Sequence, residues 1–324
     1  MSASSLLTVE NLDVSFETAQ GNLQVIDDFS FEISEKETVG FVGESGAGKS
    51  VTWRSVTGLL NEESANISAE RIEYRGEDLL NCSKQTRREV LKNEIGVIFQ
   101  EPTESLNPTQ TVGKQIREVI TNTKGMSKSA ARNEATDLMA DVGIPSPEDR
   151  YSSYPHEFSG GMNQRIMIAI ALARDPNLLI ADEPTSALDV TIQAQILDIL
   201  KEKREKYDLS VLYITHDLNV ISEISDRVVI VYAGEPVEKA SIDNILRNPA
   251  HPYTVKLIDS IPRLNDERKY LSTIGGSMPK FHDSVPDQCK FCDRCDEVFE
   301  ECKRQEPGLI EINDGHQVRC FLYE

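Results

Sequence analysis

The chain has 324 residues, 39% of them hydrophobic, enough to bury a substantial core and to bound it to one large or two modest domains. Its 54 acidic against 34 basic side chains give a formal charge of −20, which opposes phosphate-backbone attraction and argues against a nucleic-acid-binding role. The longest apolar run, Ile166 to Ala173, is less than half a membrane span, and Met1-Ser2-Ala3-Ser4-Ser5 lacks the pattern of a secretory signal, so a reducing cytosol is expected and structural disulfides are not.

Alternating apolar residues predict strands through Leu12-Val14-Phe16 and Phe29-Phe31-Ile33. Thr38-Val39-Gly40-Phe41-Val42 then leads straight into a glycine-rich loop, followed by a helix from Lys49 to Leu60. The loop, Gly43-Glu44-Ser45-Gly46-Ala47-Gly48-Lys49-Ser50, fits G-x-x-x-x-G-K-[ST] at every fixed position and has the strand and helix flanks that the mechanism requires. Its amides and the positive end of the helix cradle phosphate oxygens, Lys49 neutralises β/γ charge and Ser50 offers a hydroxyl to Mg²⁺. The nucleotide-binding run is taken as Gly43 through Val51.

Residues 111 to 143 read as mostly helical and Ile144-Pro145-Ser146-Pro147 is a breaker, so a helical insert over about 101–175 is expected inside one sheet. Ser159 caps a helix running to Arg174, and Ser159-Gly160-Gly161 is a second anion-binding N-terminus, one more than a single site needs. Strand Leu178–Ala181 ends in Asp182 and Glu183: the first carboxylate suits Mg²⁺ held through water, the second orients or deprotonates an attacking water. A helix from about Val190, strand Val211–Thr215 with His216 at its end, and strand Arg227–Tyr232 complete an alternation that argues for a parallel, helix-covered sheet. Beyond about residue 250 prolines recur and periodicity fades. Residues 251–324 are therefore read as an appended module beside a domain over 1–250.

Five of the six cysteines, Cys289, Cys292, Cys295, Cys302 and Cys320, fall in the last thirty-six residues, while Cys82 stands alone. Clustered thiolates in a reducing compartment favour a metal over disulfides. Zinc accepts four cysteines, yet its paired C-x2-C knuckles are absent; the opening C-x2-C-x2-C has ferredoxin spacing, yet the following x6 departs from it. With five thiols at hand, His251, His282 and His316 are read as packing or surface residues.

The succession of the phosphate loop, Gln100 in "FQEPTESLNP", "SGGMNQR", "LLIADEP", "SALD" and "YITHD" closely resembles ATP-binding-cassette ATPases over about residues 6 to 250. "GESGAGKS", "FQEPTESLNP" and "NPAHPYT" resemble their dipeptide/oligopeptide/nickel importer branch. The resemblance implies an α/β P-loop NTPase cassette with a mainly parallel core, an N-terminal antiparallel β subdomain, a helical insert and a small cysteine-rich C-terminal module. It implies a Mg-dependent ATPase in which Gln100 contacts Mg²⁺ and the lytic water, Glu183 is the base, His216 contacts the γ-phosphate, and Ser186 to Asp189 cross between paired cassettes. Phe16 would stack on adenine, although its alternation with Val14 and Leu12 fits core packing equally well.

Ser159-Gly160-Gly161 would serve the ATP of another cassette, so the implied working unit is a head-to-tail pair. Its partners would be a second, paralogous ATPase cassette, two transmembrane permease subunits and, indirectly, an external solute-binding protein, at the cytoplasmic face of the cell membrane. Peptide is the first solute expected, with nickel or another small solute behind it. A soluble cassette ATPase with a regulatory or nucleic-acid-related role is the competing class, and the acidity weighs against it. In the tail, the resemblance implies that Cys289, Cys295, Cys302 and Cys320 hold a [4Fe–4S] cluster, with zinc as the alternative. Cys292 departs from the pattern as an alternative ligand, a spare thiol or nothing functional.

Overall fold

The N-terminal alternation becomes two long antiparallel strands, Ser5–Thr18 and Gly21–Ser34, in a computed structural model that describes residues 4–61, 64–186, 188–261 and 274–324. Leu7, Val9, Leu12 and Val14 face inward with Ile26, Phe29, Phe31 and Ile33, all buried, as the two-residue period requires. Ala65–Ser68 and Arg71–Tyr74 pair with Ser5–Thr18, Glu77–Asp78 extends that side, and Phe281–His282 pairs with the other edge at Gly21–Ser34. Phe29 and Phe31 meet Phe41 at 5.5 and 5.0 Å, which packs this sheet on strand Thr38–Val42.

Thr38–Val42 pairs in parallel with Arg227–Tyr232. From there the pairing is antiparallel: Arg227–Tyr232 with Glu235–Ser241, then His316–Arg319, then Leu309–Asn313. The last residues thus extend the same sheet as the strand before the phosphate loop. By contacts, Thr38–Cys82 and Ile214–Glu324 fall in one compact unit with the N-terminal strands, and Glu35–Glu37 with Ser83–Tyr213 in the other. Ion pairs fasten the tail to the N-terminal hairpin: Lys290 Nζ lies 2.7 Å from Asp27 and 2.9 Å from Glu235, and Arg319 lies 2.9 Å from Asp28.

Glu238, wholly buried, accepts hydrogen bonds from the amides of Ala250 (2.8 Å) and His251 (2.9 Å) and pairs with His316 Nε2 at 2.8 Å. Burial pushes the His251 imidazole down to about 3, and its neutral Nδ1 accepts the Tyr253 N–H at 3.0 Å, which starts helix Pro252–Asp259. "HPYT" is a helix cap tied to the sheet through one carboxylate.

In the second unit Ser83 caps helix Lys84–Glu94, and strand Ile95–Ile98 runs parallel to Leu178–Asp182, with Ser210–Thr215 on the other side of the latter. Helices Val112–Lys124 and Lys128–Asp141 pack on each other and on Gly160–Leu172 through Ile116, Ile120, Ala135 and Met139, all buried. They occupy the region expected as a helical insert. Helix Val190–Tyr207 follows. Among the described residues no helix is long and apolar enough to cross a membrane.

Candidate functional site

Strand Thr38–Val42 is buried at every position and delivers the chain into Gly43–Ser50. A Cβ on Gly43 would stand 2.2 Å from the Val231 carbonyl oxygen, and one on Gly48, at φ +103°, would stand 2.6 Å from Ile26 Cδ1, so neither position admits a side chain. No side chain caps helix Lys49–Val56 at Gly48, and a helix N-terminus of this kind suits an anion. The Gly234 N–H donates to the Ala47 carbonyl at 3.0 Å and anchors the loop from below. Lys49, 5% exposed, donates to the Gly43 and Glu44 carbonyls at 2.7 and 3.0 Å, holding its ammonium against the loop. Ser45 and Gly46 are exposed at the rim, and Ser50 and Val51 are half-buried in the first helical turn.

Phe16 pairs with Leu23 and Ala65 and is half-buried. His216 is exposed at the end of Ser210–Thr215, and Asp217 after it caps helix Leu218–Ile224.

In the second unit the parallel register of Ile95–Ile98 with Leu178–Ala181 brings Gln100 and the Asp182-Glu183 pair to the same carboxyl-terminal strand ends, where ligands bind in such sheets. Gln100 Nε2 donates to Glu183 Oε2 at 3.4 Å. Asp182 is wholly buried, and Glu183 takes the left-handed conformation at φ +47°, rare for a residue with a side chain. The Ser186 amide and hydroxyl both donate to the Glu183 carbonyl, at 3.3 and 3.1 Å, which stabilises the turn. Ser159 accepts the Met162 N–H at 3.4 Å and caps helix Gly160–Leu172 as its sequence requires.

Two roles were not legible. Gly161 lies where a Cβ would meet Ile192 Cγ2 at 2.6 Å, so it lets two helices approach besides exposing an amide. Asp189 accepts the Thr191 and Ile192 amides at 3.1 and 3.0 Å and is a helix cap; within the same motif Ala187 lies outside the described residues.

The five tail cysteines carry free thiols and line one small cavity, together with His251, Phe291 and Phe321. Among the described residues no three His, Cys, Asp or Glu converge so as to hold a metal ion. Among the described residues, Cys289, Cys295, Cys302 and Cys320 therefore form no ready-made metal site. Burial pushes the Cys289 thiol up to about 12 and raises Cys292, Cys295 and Cys320. The amides of Phe291, Glu297 and Leu322 oppose this, donating to Cys289, Cys295 and Cys320 respectively. Cys292 likewise has the Asp293 amide directed at it, and in addition its sulfur accepts from Gln288 Nε2 at 3.5 Å and its S–H is directed at Asp293 Oδ1 at 3.7 Å. Cys82 is half-buried and isolated from these.

Residues 26–186 match the ABC transporter family, and residues 237–302 match the C-terminal region of oligopeptide/dipeptide transporters. The chain is 45% identical to the oligopeptide transport ATP-binding protein AppD of Bacillus subtilis, over 99% of this chain and 98% of that one. It is 42% identical to the dipeptide transport ATP-binding protein DppD of Escherichia coli, over 98% and 96%. In fold it is similar to the ATP-binding cassette MJ0796, with a TM-score of 0.64 at 23% identity over 73% of this chain and 98% of that one. The arrangement of strands and helices is that of a P-loop cassette.

Proposed function

The chain belongs to the ABC transporter family, and from that premise we propose that it is the ATP-hydrolysing motor subunit of a peptide importer. One observation carries the reading: a chain similar along its whole length to oligopeptide and dipeptide transport ATP-binding proteins has a phosphate loop already shaped for an anion.

In this reading the triphosphate lies on the amides of Gly43–Ser50 with Lys49 against its β/γ oxygens, and the adenine rests on Phe16. Ser50, Asp182 and Gln100 offer the hard oxygen donors that suit Mg²⁺, which when bound neutralises charge on the phosphate oxygens. Glu183 accepts the proton of the attacking water, Gln100 beside it fixes that water, and His216 contacts the γ-phosphate. The amides at Ser159-Gly160-Gly161 serve the nucleotide of a second cassette, so ATP joins a head-to-tail pair and hydrolysis releases it. That cycle drives two transmembrane permeases at the cytoplasmic face of the membrane, with an external binding protein supplying the solute. Purification from gently solubilised membranes tests this: two polytopic subunits and a second cassette are expected to accompany the chain, and recovery with ribosomes or nucleic acid in their place would overturn it.

The same reading gives the tail a [4Fe–4S] cluster on Cys289, Cys295, Cys302 and Cys320. The resemblance at those four positions carries this assignment; the four thiols line one small cavity, which Cys292 lines as well. The bound cluster supplies the positive charge that stabilises buried thiolates. Cys292, already engaged by Gln288 and Asp293, stands aside. Anaerobically purified protein should contain about four iron and four sulfide per chain. Cys292→Ser should keep them and Cys302→Ser lose them; zinc in stoichiometric amount without iron would refute the assignment.

A further inference from the structure

The phosphate loop carries one acidic side chain, Glu44, directly after its first glycine. A carboxylate at that place repels an incoming polyphosphate. Its amide and its carboxylate are engaged by the C-terminal segment: the Glu44 amide donates to the Tyr253 hydroxyl oxygen at 3.0 Å, and Arg294 Nη2 donates to Glu44 Oε2 at 3.0 Å.

The two tail residues are themselves held fast. Arg294 Nε donates to the Gly275 carbonyl at 2.7 Å and Nη1 to the Tyr232 hydroxyl at 3.3 Å, while the Arg294 carbonyl accepts from Lys256 Nζ at 2.7 Å. Its side chain is only 6% exposed, so the guanidinium is not a loosely tethered surface charge. The Tyr253 ring is buried against Tyr232 and Phe291, with centroids 4.8 and 5.4 Å away, and its backbone is fixed by His251. A guanidinium held in this way by neighbours other than the carboxylate is pre-organised for it.

We propose that Arg294 and Tyr253 are positioning residues for ATP: Tyr253 fixes the first turn of the phosphate loop through the Glu44 amide, and Arg294 neutralises the Glu44 carboxylate. The loop then meets the β- and γ-phosphates with the field of its amides and Lys49 undiminished. The inference rests on Gly43–Ser50 being the nucleotide site, and neither residue touches the nucleotide.

The test uses the full chain, purified anaerobically, with Mg-ATP titrated by a fluorescent analogue and iron measured in every variant. Arg294→Ala should weaken ATP binding about five- to tenfold, the effect expected of one uncompensated charge near the phosphates. Arg294→Lys should retain most of the affinity. Arg294→Ala combined with Glu44→Gln should recover most of what Arg294→Ala loses, because the charge that needed neutralising is gone; a purely architectural arginine would show no such recovery. Tyr253→Phe should weaken binding with iron content unchanged. Unaltered affinity in Arg294→Ala, or a double variant as weak as the single one, overturns the inference while leaving the nucleotide site in place. A wild-type chain that binds no ATP would overturn the site and the inference together.

Discussion

Replacing Glu183 by Gln should lower ATP turnover by about 10²- to 10⁴-fold, the range for loss of a general base, while leaving ATP bound. Gln keeps the length and polarity of the side chain but cannot take a proton. The contact from Gln100 at 3.4 Å survives such a change, and the left-handed turn at φ +47° is fixed by Ser186 through the backbone carbonyl, so the site should keep its shape. ATP that is bound and not cleaved should hold the cassette pair closed. Single-turnover phosphate release and the mass of the nucleotide-bound complex are the measurements. Undiminished phosphate release would remove Glu183 from the role of base.

Glu238→Ala should cost about 3 kcal/mol or more, a large share of the stability of any domain. One wholly buried carboxylate accepts the amides of Ala250 and His251 and pairs with His316, so its removal strands three polar groups away from water. The loss spreads along the tail, because His251 starts the helix that carries Tyr253, and His316 begins the strand opposite Lys239 and Glu238. Denaturant melts of wild type and variant would show it as a lower midpoint. An unchanged midpoint would mean that the carboxylate is dispensable to the fold.

The parts of the site that were legible are those in which local chemistry dictates local shape. Residues 39–42 and 228–232 are continuous runs with no charged side chain, the glycines of the phosphate loop mark a turn that only they can make, and Ser159 announces the helix it caps. Strand Ile95–Ile98 was not legible, being four residues attached directly to the preceding helix; yet its pairing with Leu178–Ala181 is what carries Gln100 to Glu183. The tail hairpin had a signal, Asp314-Gly315 between Ile310-Ile312 and Val318, but the prolines and cysteines around it concealed the two-residue period. The contacts of Tyr253 and Arg294 with Glu44 span 209 and 250 residues, and no local pattern reports a pairing of that length. The contacts of Cys292 with Gln288 and Asp293 were not legible either, because cysteine spacing reports no side-chain neighbour.

Strand Glu235–Ser241 pairs with Arg227–Tyr232 along one edge only, and without the tail its other edge would offer unpaired amides and carbonyls to any extended peptide. His316–Arg319 covers that edge, Leu309–Asn313 follows with Glu311 and Asn313 exposed, and two residues at Phe281–His282 blunt the free side of Gly21–Ser34. The tail thus supplies the last strand at one edge of each sheet, and both of those strands are short, five residues and two, which leaves little edge for another chain to extend.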